Sequence, residues 1–247
     1  MNVLITGGGC EEPIDNVRSI CNFSTGRTAV TLAEYFVSKN CTVHCLLGKR
    51  ALKTDKCKVT VFSDFTSLQN LIKEECSSGK YDLVIHAAAV SDYSPDKIII
   101  DGKSYEAGSI NKISSAGELS ITLKRNPKII DSIKEWCGKH AIVIAFKLTS
   151  NETITNREKA VNALFKSRLN EKQNGKVQED CASKLKLMPD YVVSNDLSEI
   201  SAEKHRCLIY AKPKSVESPA SLKAEASTVE ELAAWFFETR NKSGFND

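Results

Sequence analysis

The 247-residue chain has no uninterrupted run of about 18 apolar residues, the length that a membrane-spanning helix requires. The apolar segment 2–6 follows the first Met directly, with no basic leader and no small-residue cleavage site before it. These features argue against a helical membrane protein and against secretion. The sequence therefore predicts a cytoplasmic protein without a membrane partner.

The chain also has no large excess of positive or negative charge. The chain carries 34 Lys and Arg residues against 31 Asp and Glu residues, for a formal net charge of +3. Proteins that bind nucleic acids or anionic membranes usually present a strong basic field. The near balance predicts no nucleic-acid partner, so an anionic ligand must be recognised at a local site.

The nine cysteines have no repeated spacing, and their number is odd. A disulfide framework or a zinc site would need paired or regularly spaced ligands. The densest group is Cys41, His44 and Cys45, but on a strand the two cysteines point to one face and the histidine to the other. We predict free, packed thiols and no protein-bound metal.

Short apolar runs alternate with amphipathic helical stretches along the chain, which is typical of an α/β fold. Segment 81–90 is almost continuously apolar, as expected for a central parallel strand that is buried on both faces. We predict one Rossmann-like, doubly wound domain over residues 1–247, with a mostly parallel sheet and helices on both faces. The predicted strands are 2–6, 41–47, 59–62, 81–90, 118–125, 141–148, 189–194 and 207–211, and the predicted helices begin near 26 and 126 and span 67–76, 152–169 and 228–240.

Two polar segments interrupt this pattern. Residues 95–118 are weakly periodic and contain glycines, which predicts a mobile flap outside the main sheet. Residues 170–188 carry many charges and no apolar stripe, which predicts a mobile polar insertion. After the flap, Leu119, Ile121 and Leu123 alternate with polar residues, which predicts a half-buried strand.

Two loops that can bind anions precede the first helix. Gly7, Gly8 and Gly9 end the first strand, and successive glycines let backbone amides approach a phosphate. The third glycine of the dinucleotide motif G-x-G-x-x-G is missing. A second polar turn, 22–26, leads into the helix. This turn can cap the helix, bind a ligand or do both, because a helix N-terminus keeps free N–H groups.

These stretches resemble the phosphopantothenoylcysteine synthetase family, which performs the ligase step of coenzyme A synthesis. The resemblance lies in Gly7-Gly8 with Glu12-Pro13-Ile14-Asp15, in Val17-Arg18-Ser19-Ile20, and in Asn22-Phe23-Ser24-Thr25-Gly26. It implies that the nucleotide is bound by Gly7, Gly8, Gly9, Ser24, Thr25 and Gly26. It also implies a stand-alone ligase, because the His and Cys signature of the decarboxylase in bifunctional members does not precede this segment.

A second family stretch ends the predicted central strand. Asp92 follows segment 81–90 at the carboxyl edge of the sheet, where α/β proteins bind ligands. Its carboxylate can instead satisfy turn amides before Pro95. Segment 88–93 resembles the nucleotide-binding turn of the family. This implies nucleotide contacts for His86, Ala87, Ala88 and Asp92, and a substrate contact for Ala89.

Further matches lie along the rest of the chain. Segment 111–115 resembles the family's flap, segment 126–130 its Asn-Pro-Asp-Ile segment, and segment 145–148 its Gly-Phe turn. These matches imply nucleotide contacts for Lys112, Pro127, Lys128, Ile129, Ile130 and Phe146, with Lys159 as a further phosphate contact and Asn195 of the Asn-Asp pair as a substrate contact. A solvated lysine at 112 and a core phenylalanine at 146 are the ordinary alternatives.

The resemblance implies a ligation in two steps. The carboxylate of 4'-phosphopantothenate attacks the α-phosphate of a nucleoside triphosphate and releases pyrophosphate, and the amine of L-cysteine then attacks the acyl-nucleotide. Asn22 is implied as a donor to the acyl-nucleotide and Arg18 as a clamp on substrate phosphate or carboxylate. Lys112 is implied to neutralise the triphosphate together with Mg²⁺, which arrives with the nucleotide.

The sequence leaves the nucleotide open between CTP and ATP, and we favour CTP. The resemblance also implies a homodimer, because family members pair through the flap and the late strands.

Two other functions remain open. An NADP-dependent short-chain reductase is suggested by the glycines at 7–9, by Arg50 and by the Tyr93-x-x-x-Lys97 spacing. Such a reductase needs the Tyr and Lys on one helical face, and Pro95 between them disfavours a helix. A non-catalytic nucleotide-binding module would bind nucleotide but form no acyl-nucleotide.

Overall fold

A computed structural model describes the chain except for residues 115–116, 139, 168–180, 202–203 and 244–247. Its strands are β1 Asn2–Gly7, β2 Glu11–Pro13, β3 Ser19–Cys21, β4 Thr42–Gly48, β5 Lys58–Phe62, β6 Leu83–His86, β7 Tyr93–Ile100, β8 Lys103–Glu106, β9 Leu119–Arg125, β10 Ile142–Thr149, β11 Tyr191–Ile200, β12 His205–Ala211 and β13 Ser221–Ala226. Its helices are α1 Arg27–Ser38, α2 Phe65–Ser77, α3 Ile130–Cys137, α4 Ile154–Phe165, α5 Cys181–Lys186 and α6 Val229–Ser243. Among these described helices, none is long and apolar enough to cross a membrane.

The main sheet has the strand order β13-β12-β11-β10-β6-β1-β4-β5. The strands from β11 to β5 in this order are parallel to their neighbours, whereas β12 and β13 are antiparallel. The chain passes from β1 to β4 and β5 on one side and then crosses to β6 on the other side. This reversal places a topological switch point between β1 and β6, where ligands bind in open α/β sheets.

Alternate residues of β1 pack into two separate hydrophobic cores. Val3 and Ile5 pack with α1 and α6 on one face of the sheet, and Leu4 packs with α2, α3 and α4 on the other face. All three side chains are fully buried, because the parallel strands are covered on both sides. The predicted Rossmann-like α/β fold, with helices on both faces of a mostly parallel sheet, is confirmed.

A second sheet of three antiparallel strands, in the order β8-β7-β9, lies outside the main sheet. The turn of the β2–β3 hairpin packs against it through Ile14, Ile98 and Ile113. The segment 95–118 therefore contains regular strands, and its mobility stays a prediction. The prediction of a half-buried strand at 119–123 is wrong for Leu119 and Leu123, which are 44% and 48% exposed. Within that stretch, Ile121 is the residue that packs against the isoleucine cluster.

Several predicted boundaries of segments and helices also need correction. The polar insertion ends before 188, because Leu185 packs against the main core and Met188 is buried there. Residues 170–180 of that segment lie outside the described part of the chain. Helix α3 begins at Ile130, later than predicted, and β13 has no counterpart among the predicted strands.

Phe36 of α1 is fully buried in the hydrophobic core that α1 and α6 form on one face of the sheet. We predict that Phe36→Ala lowers the free energy of unfolding by about 3–5 kcal/mol, because it removes buried apolar surface and leaves a cavity. Urea denaturation followed by circular dichroism measures this change. Leu222→Ala, at a half-exposed site on β13, is the control and should change it by less than about 1 kcal/mol. Equal losses in the two variants would contradict the packing described.

Candidate functional site

A cavity of about 1270 Å³ opens at the carboxyl ends of β1, β6, β10 and β11, at the topological switch point. Residues from loops that are far apart in sequence share its wall. Of the residues singled out from the sequence, the lining includes Gly7, Asn22, Ser24, Thr25, Gly26, His86, Ala87, Ala88, Ala89, Asp92, Pro127, Lys128, Ile129, Ile130, Phe146 and Asn195. Sixteen of the 21 residues that the sequence predicts for the site thus line one cavity.

The glycine loop and the 22–26 turn meet at Gly9. A Cβ atom at Gly9 would lie 2.0 Å from the backbone oxygen of Asn22, so a side chain here would push the two loops apart. Gly7 lines the cavity, whereas Gly8 and Gly9 do not. Gly9 therefore serves close approach between backbones rather than direct contact with a ligand in the cavity.

The 22–26 turn delivers free backbone N–H groups to the cavity. Gly26, with φ of 72°, is the N-cap of α1 and has no side chain to cap it, although Thr25 Oγ1 accepts a hydrogen bond from the N–H of Arg27 at 3.3 Å. Thr28 and Ala29 of the first turn line the cavity. An uncapped helix N-terminus with a positive dipole end favours an anion at this position.

Asn22 links the turn to the end of β6. Its Nδ2 donates to the backbone oxygen of Val90 at 3.0 Å, and its backbone N–H donates to Cys10 at 3.3 Å. Nδ2 also donates to the backbone oxygen of Ala89 at 3.5 Å, so both N–H groups of the amide have a partner at the end of β6, the second at a long distance.

Asp92 does not satisfy turn amides. Its carboxylate forms an ion pair with Lys128, and both residues line the cavity. The amide of Asn126 has the turn-stabilising role instead, since its Nδ2 donates to the oxygen of Ser91 at 3.0 Å.

His86 is buried at the back of the cavity. Its Nδ1 lies 2.8 Å from Thr6 Oγ1, which also accepts a hydrogen bond from the N–H of Ala88. The Thr6 hydroxyl can therefore donate to Nδ1, which leaves the proton of the neutral ring on Nε2. Burial lowers the pKa of His86 to about 4. The imidazole is thus neutral at physiological pH and offers an N–H donor.

Asn195 and His205 form a buried polar pair on the β11–β12 side of the cavity. Because Asn195 lies opposite Cys207 in the antiparallel register, His205 is its diagonal neighbour on the same face. Asn195 Nδ2 lies 3.2 Å from His205 Nε2, and burial lowers the pKa of this histidine. Asn195 Oδ1 is buried and has no hydrogen-bond partner among the described residues. A buried acceptor of this kind favours a ligand that donates a hydrogen bond.

The neighbouring Asp196 faces the opposite way and anchors the loop before α4. Its carboxylate accepts hydrogen bonds from Thr149 Oγ1 at 2.6 Å and from the N–H of Asn151 at 2.9 Å, among others. The hydrogen bond from the Ser198 hydroxyl, and then that from Thr149, hold the pKa of Asp196 well below its usual range. The Asn-Asp pair thus combines a cavity residue with a structural one.

Several cationic and polar residues of the wall were not among those predicted. Arg27 follows the Ser-Thr-Gly turn directly, a position that the family comparison could have singled out. Lys147 lies in segment 145–148, which resembles the family's Gly-Phe turn, whereas Lys204 and His205 carry no local motif and reach the cavity by tertiary packing. The lining also includes Thr31, Ser167, Thr228 and Glu230.

Gly8, Gly9, Arg18, Lys112 and Lys159 do not line the cavity. Lys112 and Lys159 are exposed, the latter on α4 beside the buried Arg157. Arg157 forms an ion pair with Glu199 at 2.6 Å, so this stretch contributes a structural ion pair. Arg18 instead pairs with Asp15 at 2.6 Å on the β2–β3 hairpin.

The reductase motif does not form in this fold. Tyr93 and Lys97 both belong to strand β7, so four residues of extended chain separate them by roughly 13 Å. They cannot share the helical face that the motif requires.

The residues suggested as a metal group have other partners. His44 Nε2 lies 2.9 Å from Thr60 Oγ1, and Cys45 Sγ lies 3.6 Å from Cys57 Sγ. Within the described residues, no group of three or more His, Cys, Asp or Glu side chains could hold a metal ion.

The fold and the cavity define a Rossmann-like α/β protein with a ligand site at the carboxyl edge of its sheet. The family model described as the DNA/pantothenate metabolism flavoprotein C-terminal domain matches residues 1–170. The chain therefore belongs to this family, and the resemblance noted from its sequence is confirmed at that level.

Two curated relatives are bifunctional proteins of coenzyme A biosynthesis, both named CoaBC. The protein from Methanocaldococcus jannaschii is 30% identical over 207 residues, which cover 82% of this chain and 46% of the relative. The protein from Thermococcus kodakarensis is 27% identical over 223 residues, which cover 90% of this chain and 48% of the relative. The chain thus spans about half the length of these relatives.

Solved structures with the same fold extend over nearly the whole chain. The DNA/pantothenate metabolism flavoprotein from Streptococcus pneumoniae has a TM-score of 0.75 and 28% identity, with coverage of 98% of this chain and 99% of that chain. The Cab2 mutant H337A, solved in complex with phosphopantothenate-cysteine, has a TM-score of 0.66 and 19% identity, with coverage of 98% and 86%. At that identity, the likeness to Cab2 shows the fold alone.

We predict that Gly9→Ala displaces the 22–26 turn and weakens nucleotide binding by at least about tenfold, because the added Cβ meets the Asn22 oxygen. Isothermal titration with CTP or ATP measures the change. Gly79→Ala is the control: the φ of Gly79 is 67°, so Ala carries some backbone strain there, but its Cβ would meet no atom within 4 Å. Its nucleotide affinity should stay within about twofold of the unmodified protein. Tight binding by Gly9→Ala would contradict the proposed role of this contact.

The lowered pKa of His86 predicts a pH dependence of stability. The unfolded chain binds a proton at His86 near pH 6.5, whereas the folded protein does so only near pH 4. The stability conferred by neutral His86 is therefore complete above pH 6.5 and is lost as the pH falls to about 4. Between pH 7 and 4, the unmodified protein should lose about 3 kcal/mol more unfolding free energy than His86→Gln, as measured by urea denaturation. The exposed His140→Gln is the control and should follow the unmodified protein; identical pH curves for all three would refute the prediction.

Proposed function

We propose that this protein joins 4'-phosphopantothenate to L-cysteine in coenzyme A biosynthesis, through an acyl-nucleotide intermediate. One observation carries the proposal. The glycine-loop strand, the 22–26 turn and the 86–92 strand end, which are the stretches that resemble the synthetases, converge on one cavity. Membership of the flavoprotein C-terminal domain family and likeness to the CoaBC proteins support the same function.

The size and charge of the cavity suit a nucleotide and an acyl substrate together. Ligand pockets commonly measure about 300–1,000 Å³, and this cavity of about 1270 Å³ exceeds that range. Arg27, Lys128, Lys147 and Lys204 line it, next to the uncapped N-terminus of α1. These groups fit polyphosphate, and Mg²⁺ would enter as part of the magnesium nucleotide substrate, held mainly by phosphate oxygens and water.

Asn195 supports a base that carries an exocyclic amine. Its Oδ1 has no partner among the described residues and almost no accessible surface, so we propose that the side chain turns toward the cavity and accepts from such an amine when the nucleotide binds. Cytosine and adenine both carry such an amine, whereas uracil does not. We propose CTP as the nucleotide, with the same ligation from ATP as the alternative.

The chemistry needs alignment and charge neutralisation rather than a protein nucleophile. In the first step, a carboxylate oxygen of 4'-phosphopantothenate bonds to the α-phosphorus and pyrophosphate leaves. In the second, the cysteine amine bonds to the acyl carbon, the nucleoside monophosphate leaves, and the amine loses a proton. We assign to Asn22 the role of donor to the acyl-nucleotide, since its Nδ2 lies beside the cavity and its long bond to Ala89, at 3.5 Å, can be exchanged for a bond to a ligand oxygen.

Arg18 and Lys112 lie on the hairpin and the flap, outside the cavity wall. We propose that they act on substrate phosphate groups at its mouth. The exposed Leu119 and Leu123 of the same small sheet support pairing of two copies through this region. We therefore propose a homodimer, located in the cytoplasm.

We predict pyrophosphate release that requires Mg²⁺, 4'-phosphopantothenate and CTP or ATP, with phosphopantothenoylcysteine formed when L-cysteine is added. A coupled pyrophosphate assay and mass spectrometry of the product measure these steps. Asn22→Asp should lower product formation at least about 100-fold, because it replaces a donor at the reacting centre with a negative charge. Asn70→Asp, at an exposed site on α2, is the matched control and should keep full activity.

Nucleotide binding without pyrophosphate release would support the non-catalytic binding module and refute the ligase. Equal rates with CTP and UTP would contradict the role given to Asn195.

A further inference from the structure

One buried carboxylate outside the cavity joins the two segments that carry Arg18 and Lys112. Asp15 lies in the turn of the β2–β3 hairpin, and its side chain is completely buried. It contributes nothing to the cavity wall. Its hydrogen bonds instead connect two separate segments of the chain.

The Asp15 carboxylate accepts four hydrogen bonds. Within the hairpin turn, Oδ1 accepts from the N–H groups of Val17 at 2.8 Å and Arg18 at 2.7 Å. Oδ2 accepts from Arg18 Nη1 at 2.6 Å and from the N–H of Ile113 at 2.9 Å. The bond from Ile113 is the largest cause of a pKa for Asp15 well below its usual range. A single carboxylate thus bridges segments that are 98 residues apart.

Other contacts join the same two segments. The backbone N–H of Asn16 donates to the oxygen of Asn111 at 3.3 Å, and the side chains of these residues bond at 3.1 Å. The N–H of Gly108 donates to the oxygen of Ile14 at 3.0 Å. Beneath them lies the isoleucine cluster of Ile14, Ile98 and Ile113. The hairpin turn and the flap segment therefore form one packed unit with Asp15 at its centre.

This unit fixes Arg18 at one nitrogen and leaves the others available. Within the described residues, the hydrogen bonds of its guanidinium all use Nη1, toward Asp15 and toward the oxygen of Ile113 at 3.3 Å. The side chain is 42% exposed, and neither Nε nor Nη2 has a hydrogen-bond partner among the described residues. Lys112 lies between Asn111 and Ile113, whose backbones are both bonded to the hairpin, while its own side chain is exposed.

We propose that Asp15 is a positioning residue, which holds Arg18 and Lys112 in fixed relation so that both cations can meet the phosphate groups of the substrates. It does so without touching substrate. This inference rests on the proposed ligase function and extends it to Asp15, which contacts Arg18 and not the substrates. Asparagine cannot replace the aspartate, because its single oxygen cannot accept all four bonds and its NH₂ group would face N–H donors.

The test compares Asp15→Asn with Asp101→Asn, a carboxylate in the same small sheet that accepts a bond from the N–H of Glu118 at 2.9 Å. Single-turnover acyl-nucleotide formation gives the rate and the dependence on 4'-phosphopantothenate, and titration gives the affinity for CTP. We expect Asp15→Asn to lower kcat/KM for 4'-phosphopantothenate by at least about tenfold, with CTP affinity changed by less than about twofold. Asp101→Asn should change neither.

A mutant cycle separates positioning from general damage to the fold. If Asp15 acts through Arg18 and Lys112, then Asp15→Asn should cost less than about twofold in a background that carries both Arg18→Gln and Lys112→Gln, because coupled residues are not additive. Hydrogen exchange at residues 108–113 should also accelerate in Asp15→Asn while the main sheet stays protected.

An equal loss in both backgrounds, or a loss of CTP affinity together with turnover, would overturn the inference. So would unchanged kcat/KM in Asp15→Asn. Absence of turnover in the unmodified protein would instead refute the proposed function, so the two failures are distinguishable.

Discussion

The site depends on close backbone contact between three loops at the carboxyl edge of the sheet. Gly9 permits this contact, since any side chain there would meet the oxygen of Asn22. The end of β6 is bonded to the same loop, with the N–H of Ala89 donating to Gly8 at 2.8 Å and that of Cys10 donating to Ala89 at 3.2 Å. The side chain of Asn22 joins the 22–26 turn to the chain after β6, because its Nδ2 donates to the backbone oxygen of Val90. The geometry of the cavity follows from these backbone bonds, so its shape is set before any ligand enters.

Buried carboxylates hold the surrounding loops in place, and each joins distant parts of the chain. Glu12 accepts from the N–H of Phe65 at 2.8 Å and from Ser94 Oγ at 2.7 Å, which ties the hairpin to α2 and β7. Asp15 ties the same hairpin to the flap segment, and Asp196 ties β11 to the loop before α4. Cations line the cavity itself. Its wall holds Arg27, Lys128, Lys147 and Lys204 against the two carboxylates of Asp92 and Glu230, which leaves an excess of positive charge for an anionic ligand.

The sequence predicts the fold because buried parallel strands appear as continuous apolar runs, as in segment 81–90, and helices as stripes of period 3.6. It predicts much of the cavity because Asn22, Asp92 and Asn195 lie in recognisable stretches at strand and helix ends. It does not predict β13 or the exposure of Leu119, because these depend on which neighbours cover an edge. His205 and Lys204 reach the cavity by long-range packing, and no local pattern indicates that.

The central claim is that this cavity forms an acyl-nucleotide from a carboxylate and the α-phosphate of CTP or ATP. The most direct measurement uses 4'-phosphopantothenate labelled with ¹⁸O in its carboxylate and follows the label by mass spectrometry through a complete reaction with cysteine. Attack on the α-phosphorus predicts one labelled oxygen in the released nucleoside monophosphate and none in inorganic phosphate. Label in inorganic phosphate, with release of a nucleoside diphosphate, would show an acyl-phosphate route and contradict the claim.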